Sequence, residues 1–447
     1  MKFRRWILSL VLIFTFIITN SHTVFAKVAW PSAPGISSDG GIIMDADTGT
    51  VLYSKNINTE MYPASITKLM TVLLVLENCS LDQTLTFSKE AVFNIEFGSN
   101  HIGMNVGEQI TVEQALYGIL LESANEVSNG VGELIAGDQE SFVALMNKRA
   151  QELGCKHTHF MNANGLHDKQ HYSSPYDMAL IARECLKYPD FKRIAGAKSY
   201  QLQPTNKVNE VRYLNNQHKM FPGRKNAYEG FECGKTGFTN QALNTLVTIA
   251  KRDNLELICV TMHGNLTQYT DTATLLDYGF KNYKNLPISS QDPNLTNDYY
   301  LENESSFKDF INGETDYSFE YDKNALMVLP NNASFSDITT KITDVKKEAY
   351  SLTANIEYYY DQDLMGTQPL TIKKKAPEPS PVDKLSGEQP LIITVIKVIL
   401  IIIGILLIGF IALYFYARYK VKQRRRKRRR HYEDDYDYLE RNRRPRR

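Results

Sequence analysis

Cysteine is scarce and scattered. The five thiols, at 79, 155, 185, 233 and 259, form no CxxC pair. That excludes a disulfide framework and a paired-cysteine zinc site. Small core residues are the expectation, with one exported pair left open. A zinc-protease motif is also missing. His167-Asp168-Lys169-Gln170-His171 has the HExxH spacing but no glutamate, and neither this pair nor His157 and His159 is expected to hold a metal. No repeat of fixed period runs through the chain, which argues against a solenoid or propeller. Positive charge is lacking from the main body. Residues 27 to 417 hold 33 basic against 45 acidic side chains, so general nucleic-acid binding is not expected of them.

The two ends are the net-basic parts of the chain. Residues 1 to 26 start with Lys2, Arg4 and Arg5, run apolar from Trp6 to Ile18, and finish Val24-Phe25-Ala26. This is the pattern of a secretory signal peptide. Val398 to Ala417 is twenty residues without a formal charge, long enough to cross a bilayer core of about 30 Å as a helix. Behind it, residues 418 to 447 carry 15 basic and 5 acidic side chains, with "RRRKRRR" at 424 to 430. Cations stay on the cytoplasmic side. The expected topology is a cell-membrane protein with a single span at 398–417, the bulk outside and the 418–447 tail inside, where anionic lipid is its nearest partner. A Pro-rich charged linker at 374–390 joins body to span.

Within the body, "IIMDADTGTVLYS" (42 to 54) is two β-prone runs around Asp47-Thr48-Gly49, a hairpin signal. "ITKLMTVLLVLE" (66 to 77) is apolar on nearly all sides, which predicts a helix buried all round. Helical patterns continue through 111 to 153 and 175 to 187. "LNTLVTIA" and "LELICVTM" are two strands, and "TATLLDYGFKNY" a closing helix. Strands first, helices next and strands last imply chain ends that meet in one sheet. From 290 to 373 the alternation of Leu352, Ala354, Ile356 and Tyr358 with mostly polar residues is that of a half-buried strand, and a small β domain is expected.

Ser65-Ile66-Thr67-Lys68 opens the buried helix, so Lys68 lies one turn beyond Ser65 on the same face. Burial lowers a lysine's pKa, and a neutral amine there can take the serine's proton. Alone, SxxK is read first as a capping serine with a snorkelling lysine. Ser305-x-x-Lys308 repeats it in a polar stretch with no helical pattern. Two further motifs come next in order: Ser123-Ala124-Asn125 and Lys235-Thr236-Gly237, the latter immediately before a predicted strand.

SxxK, SxN and KTG in that order resemble the signature set of penicillin-recognising serine enzymes. "MDADTGTVLYSKNINTEMYPASITKLMT" and "FVALMNKRAQELGCKHTHFMNANGLHDKQHYSSPYDMALIAR" are similar to the opening and middle of the low-molecular-weight penicillin-binding proteins, the serine D-alanyl-D-alanine carboxypeptidases of peptidase family S11. The resemblance covers about 36–285. It implies an α+β (layered α/β) transpeptidase/β-lactamase-like domain, with the small β domain at 290–373 and a C-terminal membrane attachment completing the family layout. It further implies removal of the terminal D-alanine from peptidoglycan stem peptides through an acyl-enzyme, covalent binding of β-lactam antibiotics, and no cofactor. By motif, Ser65 is the nucleophile, Lys68 its base and Ser123 a proton relay. Asn125 binds the peptide amide, and Lys235, Thr236 and Gly237 line the strand beside the substrate. The backbone N–H groups of Ser65 and Phe238 form the oxyanion hole.

Two departures stand out. Relatives commonly carry an arginine after the last strand to hold the substrate carboxylate, yet no Arg or Lys occurs between Arg252 and Lys281. Recognition then falls to Lys235 and hydroxyls. Cys233 stands where a glycine is common and is expected to be packed. Two alternatives remain: a non-catalytic wall-binding or scaffold protein of the same fold, and a β-lactamase, for which the ExxLN glutamate is missing.

Overall fold

The computed structural model describes residues 30–295, 299–314, 316–375 and 397–420. The expected signal peptide, most of the 374–390 linker and the 421–447 part of the tail lie outside the described residues. Of the described residues, those up to Lys374 belong to one compact unit, and those from Lys375 on to a second.

The first unit is built on a five-stranded antiparallel sheet. Its strands are β1 (Gly40–Asp45), β2 (Val51–Lys55), β3 (Phe231–Thr239), β4 (Leu243–Arg252) and β5 (Leu255–Gly264), in the order β2-β1-β5-β4-β3. The first hairpin thus docks onto the last three strands through β1 and β5, as the order of predicted elements implied. Side-chain alternation gives the sheet two buried faces. Ile42, Met44, Val247, Ile249, Ile258, Val260 and Met262 face a helical body. Ile43, Leu246, Ala250, Leu257 and Cys259 face a helix carrying Leu275 and Leu276, residues Gln268–Asn282.

The helical body surrounds α1 (Lys68–Asn78). Leu69, Met70, Val72, Leu73, Leu74 and Val75 are all buried, so nearly every direction around this helix is apolar, as its sequence required. Around it lie α2 (Val112–Leu121), α3 (Asn125–Ala136), α4 (Gln139–Glu152) and α5 (Pro175–Cys185). Their starts are written locally. Thr111 and Gln114 form a reciprocal capping box, and Asp138 and Ser174 accept from backbone N–H groups of the first turns. Such caps contribute about 1 kcal/mol each.

A six-stranded antiparallel sheet comes next in the chain, from 283–287, 317–321, 326–330, 338–347, 351–360 and 363–374. On strand 351–360 the buried side chains are Leu352, Ala354, Ile356, Tyr358 and Tyr360, the period of two read from the sequence. The short helices at 288–291, 299–303 and 305–311 are not anticipated by that reading. They cover the sheet with Ile288, Leu301, Phe307 and Phe310. The polar stretch around Ser305 is therefore helical, because every third or fourth apolar residue suffices once a sheet face is available to bury it. This sheet docks on the first. Asn285 Nδ2 donates to Asp45 Oδ2 at 2.9 Å, Thr50 Oγ1 to the Leu364 carbonyl at 2.8 Å, and Trp30 packs on Tyr283 and Tyr360.

Among its described residues the second unit holds a helix, Lys397–Lys420, of 24 residues with exposed apolar side chains throughout. Its length, about 36 Å at 1.5 Å per residue, is sufficient for one membrane crossing.

Candidate active site

Ser65 sits in a single 3-10 turn, Ala64–Thr67, that runs directly into α1. Ala64 has φ of +49°, an uncommon conformation for a residue with a Cβ. The turn is clamped from two sides. Thr245 Oγ1 on β4 donates to the Pro63 carbonyl at 2.8 Å. Gly165, with φ of +82°, lies so close that a Cβ there would sit 2.0 Å from the Ala64 carbonyl oxygen. On the sheet side, a Cβ at Gly237 would sit 2.9 Å from the Ser65 nitrogen. Only glycine lets β3 approach the turn this closely.

Lys68 is fully buried. Its Nζ lies 3.0 Å from Ser65 Oγ, 2.7 Å from Asn125 Oδ1 and 2.5 Å from the Asn164 carbonyl. Desolvation by burial, reinforced by the charge of Lys235 and opposed by Glu126, holds its pKa well below the ordinary lysine range. A neutral amine has two N–H donors and one lone pair. Asn125 and Asn164 offer acceptors for the two donors, which leaves the lone pair for the Ser65 hydroxyl.

The second lysine is arranged similarly. Lys235, on β3, is buried, with Nζ 3.0 Å from Ser123 Oγ and 2.9 Å from the Thr236 carbonyl. Burial brings its pKa down to about 7. Ser123, with φ of +61°, forms the corner between α2 and α3. Asn125 is the first residue of α3, and its N–H donates to the Asn100 carbonyl at 2.9 Å.

Ser65, Ser123, Asn125, Thr236, Gly237 and Phe238 all line one cleft of about 630 Å³. The three motifs, far apart in the chain, thus converge on one concave surface. The stray motif does not join them: Ser305 and Lys308 are exposed on the short helix of the second sheet. Cys233 points away from solvent, and burial pushes its thiol pKa up. Among the described residues all five cysteines are free thiols, four of them buried.

Several contributors carry no motif of their own. Asn164 meets Lys68 through its backbone carbonyl, and its side chain donates to Asn129 Oδ1 at 3.1 Å. The signal was available as Asn162-Ala163-Asn164-Gly165, a turn sequence. Glu126 is buried, and its Oε1 accepts from the Ile102 N–H at 2.8 Å. That bond holds the segment whose residues Glu96 to Asn100 form one wall of the cleft. His171 is structural. Its Nδ1 accepts from the Met161 N–H, so its Nε2 donates to Thr67 Oγ1 at 2.8 Å, and burial lowers its pKa to about 3. After β5, Gln268 and Tyr269 line the cleft.

Residues 27–265 match the D-alanyl-D-alanine carboxypeptidase family. The chain is 34% identical over 291 residues to D-alanyl-D-alanine carboxypeptidase DacF of Bacillus subtilis, covering 63% of this chain and 72% of that one. It is 30% identical to DacA of Escherichia coli, with 57% and 64% covered. Among solved structures, the Streptomyces K15 DD-transpeptidase superposes with a TM-score of 0.52 at 28% identity, over 56% of this chain and all of that one. A D-alanyl-D-alanine carboxypeptidase from Mycobacterium tuberculosis superposes with 0.51 at 30% identity, over 57% and 95%. With the motifs converged on one cleft and this likeness spanning them all, the chain belongs to the family of serine D-alanyl-D-alanine carboxypeptidases, the low-molecular-weight penicillin-binding proteins.

Proposed function

We propose that this protein removes the terminal D-alanine from peptidoglycan stem peptides through a Ser65 acyl-enzyme, and that β-lactams trap the same serine. The carrying observation is the buried Lys68 amine, 3.0 Å from Ser65 Oγ and otherwise matched to two acceptors. In this reading neutral Lys68 takes the Ser65 proton as Oγ attacks the penultimate D-alanine carbonyl. The backbone N–H groups of Ser65 and Phe238 receive the negative charge that develops on the carbonyl oxygen. Ser123, bonded to Lys235, passes a proton to the departing D-alanine amine, and Asn125 binds the peptide amide. Lys235, Thr236 and Gly237 form the edge along which the substrate lies. Water then cleaves the ester and regenerates Ser65, so one hard step becomes two easier ones.

The same reading gives the protein its place. The helix at 397–420 anchors it in the cell membrane, with the catalytic unit outside and the cationic tail in the cytoplasm. The charge asymmetry across the helix supports this orientation.

Ser65→Ala tests the chemistry. The variant is expected to take no fluorescent penicillin and to release no D-alanine, whereas the wild type does both. A variant that still labels places the nucleophile elsewhere. A wild type that labels but never turns over a D-Ala-D-Ala peptide supports the non-catalytic alternative, and nitrocefin hydrolysis would indicate a β-lactamase.

A further inference from the structure

A carboxypeptidase must recognise the free carboxylate at the end of its substrate. The two motif lysines are poorly suited to do it alone. Lys68 is buried beneath Ser65, and Lys235 already directs its Nζ at Ser123 Oγ and the Thr236 carbonyl. Burial also leaves Lys235 with a pKa of about 7, so it is only partly charged at neutral pH. The segment after β5 supplies Gln268 and Tyr269 to the cleft, neither of them charged.

Among the described residues that line the cleft, Lys219 is the one exposed lysine or arginine. We propose that Lys219 is the carboxylate-recognising cation of this enzyme, presented from the loop before β3 in place of an arginine after β5. The assignment rests on the carboxypeptidase reading above.

The loop is built to hold this residue still. The Lys219 N–H donates to the Tyr269 hydroxyl at 3.1 Å, and its carbonyl accepts from the Asn226 N–H at 3.2 Å. Tyr269 belongs to the first turn of the helix after β5, so Lys219 is tied to the very segment that lacks a cation. On its other side, His218 is buried, bonded to Thr248 on β4 at 3.1 Å. A Cβ on Gly234 would come within 2.9 Å of His218 Nε2. His218 thus packs against the face of β3 that Gly234 shares with Thr236, since alternate residues of a strand share a face. Arg224 reinforces the turn by donating to the Asn216 and His218 carbonyls. The Lys219 ammonium makes no ion pair among the described residues, and Thr236, Asn244 and Gln268, which line the same cleft, carry hydroxyl and amide groups that can bind the same ligand.

Full-length protein in detergent micelles, assayed with an acyl-D-Ala-D-Ala peptide as free acid and as C-terminal amide, tests this. Lys219→Met should lower kcat/KM for the free acid by roughly ten- to hundred-fold, the worth of a hydrogen bond to a charged group. The amide should be cleaved at the wild-type rate, which also reports an intact fold and Ser65–Lys68 pair. Lys219→Arg should retain the preference, and Gln268→Arg added to Lys219→Met should recover it. Equal losses on both peptides, or no loss on the acid, overturn the role of Lys219 while leaving the carboxypeptidase reading standing. A wild type that releases no D-alanine from the free acid overturns that reading and this assignment with it.

Discussion

At the scale of single residues, burial lowers the pKa of both lysines at the site. For Lys235 the consequence is a stability that depends on pH. Its folded pKa of about 7 lies below the value of about 10.4 in an unfolded chain. Between these values the unfolded state binds more protons, so stability rises with pH through this window and is lost as pH falls toward 7. The slope from this group approaches one proton, about 1.4 kcal/mol per pH unit. Lys235→Gln should remove it. Urea melts of the chain truncated after Lys375, at pH 7.5, 8.5 and 9.5, should show a shallower rise for the variant. Parallel curves would mean that Lys235 stays charged in the fold. The pairing of Ser65 with Lys68 was legible in the sequence because three residues of helix make it a local relation. Asn164 was not, since its carbonyl reaches Lys68 from 96 residues away.

At the scale of elements, the turn carrying Ser65 is squeezed between β3 and the loop at 162–166. Glycine on both sides permits it. Gly165→Ala should be strongly destabilising. It puts a Cβ in a left-handed conformation, at about 1–3 kcal/mol, and drives it into the Ala64 carbonyl 2.0 Å away. Relief requires the turn carrying Ser65 to move. Penicillin acylation should therefore slow together with the loss of stability, read by stopped-flow labelling and by thermal melts. A variant with wild-type acylation would show that the turn does not depend on this contact. Helix and strand periods identified α1 and strand 351–360 well. They missed the helices between 288 and 311, whose few apolar residues count only because a sheet face lies beneath them.

At the scale of the whole molecule, the proposed orientation rests on charge: residues 27–417 are net acidic and residues 418–447 net basic. A tag at the C-terminus is expected to be shielded from external protease in intact cells, while the catalytic unit is accessible. A signal sequence directs the chain behind it out of the cell, and fifteen tail cations resist transfer across a membrane that is negative inside. Replacing the basic residues of 418–430 by Ser and Gln should loosen retention of the tail and leave catalysis unchanged, because each cation contributes about 1 kcal/mol of attraction to an anionic surface. A wild-type tag accessible outside would refute the single span.

The sequence by itself determined the features that depend on near neighbours: the serine–lysine spacing on one helical face, the buried character of α1, the alternation of the strands, and a span long enough for a bilayer. Motif order added the family and, with it, the cleft's expected membership. Only the tertiary structure decided the charge of the lysines, since a pKa is set by how much water the surrounding elements exclude. It also decided that Asn164 completes the coordination of Lys68. And it set an unremarkable lysine from the loop before β3 beside the helix after β5, where no local pattern marks a binding residue. Desolvation and convergence across a cleft arise between segments far apart in the chain, and these distances exist only once the sheet has closed.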